Sequence, residues 1–356
     1  MPCPCVPLIS ILPVNIPSCS LPVWKNLYEA AIAFRDLACW RWMSDSDVSG
    51  VQNPETGEIG YCCVLGQLGE VFGLAVYLGT EGLEQQRKIQ SGKIHAGSPD
   101  FAYSQTCLTA WFVDRNDLDK VDLKVVNELG LKFQGNNAWP QFRSLQPGYL
   151  PWYLRESEAK YLALSVEQAR EVALCLVKDP NWLAAPGKNH YLVRVPVNHE
   201  GGWRWESQSL KPAPMAKTKV RSYPLDEVRL QRIKSAGKTR QGIWEIDSFY
   251  MPAPVEGEER PYFPYSILCA DHGSGFILGT ALAEPSNWET EFPPCILDCI
   301  ENHNLLPSAL WVRKEQLRDL FRPLTARLGI EVQLIKKLPA LDRARRSMLK
   351  YFEKRR

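Results

Sequence analysis

Four carboxylates in the second half of the chain, Asp247, Asp271, Glu284 and Asp342, are the residues whose type could support metal-dependent phosphodiester chemistry. Two-metal catalysis holds its ions about 3.5–4 Å apart, one activating the nucleophile and one stabilising the leaving oxygen. Ions that close need several carboxylates to offset their repulsion and hard oxygen ligands to hold them. A second set is Cys295, Cys299 and His303, spaced i, i+4 and i+8. Zinc takes about four ligands in a tetrahedron. Three ligands along one helix drift around its axis, so the favoured reading packs both thiols in a core and leaves His303 at the helix end. No metal or other cofactor is assigned. Cys62 and Cys63 alternate across a strand and cannot share a site. No phosphate loop, GxSxG elbow or HExxH pair occurs. Of the twelve tryptophans, Trp40, Trp42, Trp203 and Trp205 could stack on bases, although such residues more often close a core.

The chain has 356 residues, enough for two domains, with 45% hydrophobic and 23% charged residues. A net charge of +2 commits the whole to no polyanion, but charge is unevenly placed. Pro212 to Arg240 carries Lys217, Lys219, Arg221, Arg229, Arg232, Lys234, Lys238 and Arg240 against Asp226 and Glu227. The C-terminal stretch carries Lys336, Lys337, Arg343, Arg345, Arg346 and Lys350, with three further cations at its end. Eleven cysteines at irregular spacing read as reduced thiols of a cytoplasmic protein. No apolar run reaches the roughly 18 residues of a membrane helix. Residues 1–21, broken by prolines and lacking a basic start, read as a disordered tail.

Residue spacing then sets the elements that must position these groups. Trp24–Leu37 has helical apolar spacing, and Asp47–Gly79 holds three apolar runs divided by turn residues, an antiparallel meander. A helix over Thr80–Ile89, a strand over Gln105–Val113 and a helix over Asp114–Leu129 follow. Asn136–Trp152, rich in Pro, Trp and Gly, reads as a surface connection. Glu156–Val177 is helical, with Ser165 and Gln168 fitting a capping box. His190–Val197 and Trp203–Leu210 form a hairpin, and Leu225–Ser235 a short helix. Ile243–Met251, Tyr262–Ala270 and Gly275–Ala283 read as a second meander. After it come helix, strand, helix, strand and helix, with Ser308–Val312 expected parallel to Ile243–Met251.

That order, with several local motifs, resembles the ribonuclease-H-like core of integrases and transposases. Trp244-x-x-Asp247 resembles the tryptophan three residues before the first catalytic aspartate. Asp271-x-x-Ser274-x-x-Ile277-x-Gly279 resembles the turn between the second and third strands. Pro307 through Val312 resembles the strand that carries the second aspartate, and Leu328-Gly329-Ile330 the approach to the last strand. The resemblance puts the second acid at Val312–Arg313 and the third near Ser347, where Arg345 and Arg346 stand. Of the three acids only Asp247 remains in place. Nearly the full length also resembles a family of uncharacterised two-domain bacterial proteins, on the pattern ETGEIGYCCVLGQLGEVFGLAVYLG and the C-terminal module.

The fold expected is α/β. It comprises an α+β N-terminal module over 22–212, a basic linker over 213–240, and a ribonuclease-H-like mixed-sheet domain over 241–356. The function expected is a non-catalytic binding protein of the cytoplasm, its partner a nucleic acid held weakly or a protein, and not a membrane. The alternative is a metal-dependent nuclease or nucleotidyl transferase that assembles its acids from Asp271, Glu284 or Asp342. An arginine in the pocket of Asp247 would favour the binder.

Overall fold

A computed structural model describes Ile16 and residues 18–95, 99–184, 187–199, 202–215, 223–237 and 239–353. Most of the N-terminal tail, Lys217, Lys219, Arg221, Lys238 and the last three residues lie outside these. The chain is α/β and divides into two compact units, Met1–Met215 with Glu258–Arg260, and Ala216–Gly257 with Pro261–Arg356.

The first unit runs α1 (Leu21–Leu37), β1 (Ser49–Gln52), β2 (Ile59–Leu65), β3 (Phe72–Leu78), α2 (Gly79–Gln90), α3 (Pro99–Ser104) and β4 (Cys107–Val113). It continues with α4 (Lys120–Glu128), β5 (Trp139–Leu145), α5 (Glu156–Lys178), β6 (Tyr191–His199) and β7 (Gly202–Leu210). Its sheet has the order β5-β4-β3-β2-β1-β6-β7, antiparallel throughout except where β1 meets β6. The alternation of strand side chains divides the core in two. Cys62, Val64, Leu74 and Leu108 pack with Leu27 and Phe34 of α1 and Leu162 and Val166 of α5. Tyr61, Cys63, Ala75 and Tyr77 pack with Leu83 of α2. Gly60 lets α5 close on β2: its N–H donates to Tyr161 Oη at 2.7 Å, and a Cβ there would stand 2.4 Å from that oxygen. Tyr161 Oη in turn donates to Val51 O.

Three expectations fail in this unit. Trp139–Leu145 is not a surface connection but a strand, β5, at the sheet edge against β4. An edge strand needs donors on one side only, so Pro140 is tolerated there. The helix expected over Asp114–Leu129 is interrupted: a 3-10 turn over Arg115–Asp117 precedes α4, and Asp119 caps α4 by accepting from the N–H groups of Val121 and Asp122. Ser165 is no cap. It is fully buried inside α5, whose start is closed by Glu158 accepting from the Arg155 N–H at 2.7 Å.

The second unit runs α6 (Glu227–Ser235), β8 (Thr239–Arg240), β9 (Ile243–Tyr250), β10 (Tyr265–Asp271), β11 (Ile277–Ala283), α7 (Trp288–His303) and β12 (Leu305–Leu306). It ends with β13 (Ala309–Val312), α8 (Glu315–Leu328), β14 (Glu331–Leu334) and α9 (Pro339–Glu353). Its main sheet has the order β11-β10-β9-β13-β14. The meander β9-β10-β11 is antiparallel, while β13 runs parallel to β9 with Val312 opposite Ile246, as expected. Leu230 and Ile233 of α6 are buried in the same core as α7 and α8.

This sheet is covered on both faces, and β9 alternates between them. Trp244 and Ile246 enter the core under α7 and α8, with Phe292, Ile296, Leu317 and Phe321. Glu245 and Asp247 therefore face the other side, where Ala340 and Leu341 of α9, with Leu338 just before it, pack against Ala270 of β10. The register thus places two acids under the start of the last helix.

Candidate functional site

Asp247 sits in the middle of β9, opposite Leu268 of β10, and is buried. One carboxylate oxygen accepts from the Ser248 N–H at 2.9 Å. The other lies 3.2 Å from Nη1 of Arg313, the residue directly after β13. Nη2 of Arg313 donates to Asp342 Oδ1 at 2.6 Å, reaching the first turn of α9. The guanidinium therefore stands between the acid of β9 and the acid of α9. Burial pulls the basicity of Arg313 down, but the Asp342 hydrogen bond and the charges of Asp247, Asp342 and Glu245 more than reverse this and hold it above its ordinary value. Arginine stays charged here and presents a planar fork that two carboxylates can share.

Glu245 closes the back of this site. It is fully buried, one oxygen 2.6 Å from His272 Nδ1 and the other accepting from the Leu341 N–H at 3.0 Å. The acceptor at the start of α9 fixes the helix, and with it Asp342. The His272 ring lies 4.5 Å from that of Trp311, and the Arg345 guanidinium lies over Phe249 at 5.0 Å. Lys314, next to Arg313, turns away: its Nζ donates to Ser248 O at 2.5 Å and to Tyr265 Oη at 3.1 Å.

The other acids do not join this group. Asp271 pairs with Trp244 at one end of β9, and Ala283, before Glu284, reaches Tyr265 and thereby Tyr250 at the other. At about 3.3 Å per residue, those ends are roughly 20 Å apart. Asp271 is occupied by its own turn: the Ser274 N–H and hydroxyl both donate to its Oδ2 at 2.7 Å, which holds its carboxyl below the usual range. Among the described residues no group of three or more His, Cys, Asp or Glu side chains is arranged to hold a metal ion.

Cys295 and Cys299 lie in the core under β11, and His303 Nε2 sits 3.0 Å from Leu278 O. The neighbouring Cys269 thiol, with burial, pushes the Cys299 thiol up to about 12.

The basic stretches divide by use. Arg229 pairs with Glu301 and Asp298, Arg232 with Glu301, and Arg240 donates to the carbonyls of Leu328 and Gly329 that end α8. Lys336, Lys337, Arg343, Arg346 and Lys350 are exposed.

One feature of the first unit had no sequence signal. Ser144, Trp152, Tyr153, Arg155, Glu158 and Arg260 line a cavity of about 410 Å³. Arg260 is buried there with no carboxylate at ion-pair distance among the described residues, donating to Ser144 O and Leu150 O; burial pulls it down to about 10, against the charge of nearby Glu158. Arg155 and Glu259 pair at its rim.

Two family models match the chain. Residues 24–194 match one described as Domain of unknown function (DUF7309), and residues 229–349 match one described as Domain of unknown function (DUF6930). No curated protein matches it. The chain thus carries two domains, both of unknown function. Among the described residues no helix is long and apolar enough to cross a membrane.

Proposed function

We propose that the second domain is a ribonuclease-H-like, integrase-core-like fold that has exchanged its metal site for an ion pair, and that the protein works by binding and not by catalysis. The observation that carries this is Arg313. It stands at the end of the strand parallel to β9, where the resemblance puts the second acid, and it bridges Asp247 and Asp342. A guanidinium there satisfies the two acids that a metal would use and repels a divalent cation by its own charge. The strand order β11-β10-β9-β13-β14 supports the fold side of this reading.

The partner most consistent with the surface is a nucleic acid backbone. The exposed cations of α9 and its approach, Lys336, Lys337, Arg343 and Lys350, with Arg346, whose Nε donates to Asp342 O at 3.2 Å, stand apart from Arg229, Arg232 and Arg240, which meet other elements of the domain. Cations that displace phosphate counterions give binding that falls steeply with salt.

One experiment addresses both halves. Labelled DNA and RNA are incubated with the purified full chain in magnesium, then manganese, at low and moderate salt, and both retention and cleavage are scored. The expected outcome is retention at low salt, its loss at moderate salt, and intact substrate throughout. No retention at low salt removes the nucleic-acid partner. Cleavage that disappears in Asp247→Ala removes the non-catalytic reading.

A further inference from the structure

We propose that the cavity of the first unit binds a small organic carboxylate, held by Arg260. Its volume of about 410 Å³ lies within the roughly 300–1,000 Å³ of small-molecule sites. Glu259 and Arg260, which line it, belong to the first unit with Ser144, Trp152, Arg155 and Glu158. Arg260 is 8% exposed and Trp152 6% exposed, so neither can rely on bulk water. Burying a charge without a counter-charge is costly, and buried donors are seldom left unpaired. The Arg260 guanidinium makes its two hydrogen bonds through Nη2, to Ser144 O and Leu150 O. Nε is enclosed without an acceptor, and Nη1 has none among the described residues. The indole N–H of Trp152 is likewise enclosed and unpaired. The Tyr149 ring, 5.3 Å from the guanidinium, attracts the cation but fills no place at its edge.

Charge selects the ligand. Glu158 acts on Arg260 from beyond ion-pair distance, and both its oxygens are taken. The Ser144 hydroxyl donates to one at 2.8 Å and the Arg155 N–H to the other at 2.7 Å. At the rim, the mostly exposed side chains of Arg155 and Glu259 pair with each other. One buried positive charge is thus left without an answer. A carboxylate supplies one negative charge and acceptor oxygens for the guanidinium. A phosphate dianion would bring a second charge beside Glu158, with no free cation to receive it. The rings of Trp152 and Tyr153, both lining residues with centroids 5.1 Å apart, give the carbon body of the ligand an apolar wall. This inference rests on neither the acid site of β9 nor the nucleic-acid reading.

The indole N–H signals in a nitrogen–proton spectrum of the full chain test it, since the Trp152 signal is the one absent from Trp152→Phe. Benzoate and acetate are the probes, benzamide and acetamide their uncharged counterparts, and inorganic phosphate the other anion. The Trp152 signal is expected to move saturably with at least one carboxylate, at a dissociation constant of roughly millimolar, as a few atoms and one charge allow. The amides should leave it in place, and phosphate should bind more weakly than the carboxylates. Arg260→Gln should weaken carboxylate binding by more than about tenfold, with the other indole signals unaltered. Because that variant could disturb folding, a second removes a negative charge from the exposed rim: Glu259→Gln should strengthen binding by about twofold at low salt. A Trp152 signal unmoved by either carboxylate means a cavity that holds water only, and overturns the proposal. So does movement matched by the amides, tighter binding of phosphate, or binding that neither variant changes.

Discussion

Arg143→Ala is expected to cost the first unit about 3–5 kcal/mol, the range for removing one partner of a buried ion pair. Arg143 on β5 is buried. Its Nη1 and Nη2 donate to the two oxygens of Asp122 at 2.8 and 2.6 Å, and Nη2 also reaches Asp119 at 3.1 Å. Tyr153 donates to the same Asp119 oxygen at 2.6 Å, and its ring lies 4.9 Å from the guanidinium. Asp119 caps α4, so the network ties an edge strand to a helix start. Alanine leaves Asp122 buried without its cation. Arg143→Lys should recover only part of the loss, because an ammonium cannot grip both oxygens in one plane. Arg143→Met/Asp122→Leu should lose less than Arg143→Ala, since no charge is stranded. Two units need not unfold together, so hydrogen exchange at the amides of β4 and β5 is the suitable readout. Protection in Arg143→Ala within about 0.5 kcal/mol of wild type would show that the network adds nothing.

The second large effect is expected at Arg313. Arg313→Ala leaves Asp247 buried and Asp342 without its cation, and should cost the second unit about 1–3 kcal/mol. The value is set below that for Arg143 because the Arg313 side chain is 29% exposed and water can reach part of the gap. Arg313→Ala/Asp247→Asn should recover most of the loss, since the asparagine that replaces Asp247 carries no charge to strand. Exchange protection on β9 and β13 reports it. A double variant no more stable than Arg313→Ala would mean that the arginine serves packing rather than charge.

How far the sequence foretold this differs from element to element. The meander β9-β10-β11 was legible because its apolar runs are divided by short turns, and the position of Asp247 because Trp244 precedes it by three residues. The arginine after β13 was legible as well, by counting from Pro307. Asp342 as its second partner was not fixed, because the start of α9 depends on the buried contact between Glu245 and the Leu341 N–H, 96 residues apart. The same distance problem hid the fate of the basic stretch before β9. Arg229 and Arg232 meet Glu301 about 70 residues on, so two cations that look free along the chain are paired in space. β5 was missed because Pro140 and the nearby glycine suggested a loop, and only its place at an edge makes the proline compatible with a strand.

If Arg313 holds the position beside Asp247 that metal ions would take, the wild type should show no saturable manganese site at millimolar concentration, and Asp247→Ala should change nothing. Titration of the full chain with manganese, followed by the paramagnetic signal of the free ion, measures this. Arg313→Asp, which turns the plug into a third carboxylate, is expected to acquire manganese binding that Asp247→Ala then removes. Saturable binding by the wild type that disappears in Asp247→Ala would show instead that the site beside Asp247 accepts metal.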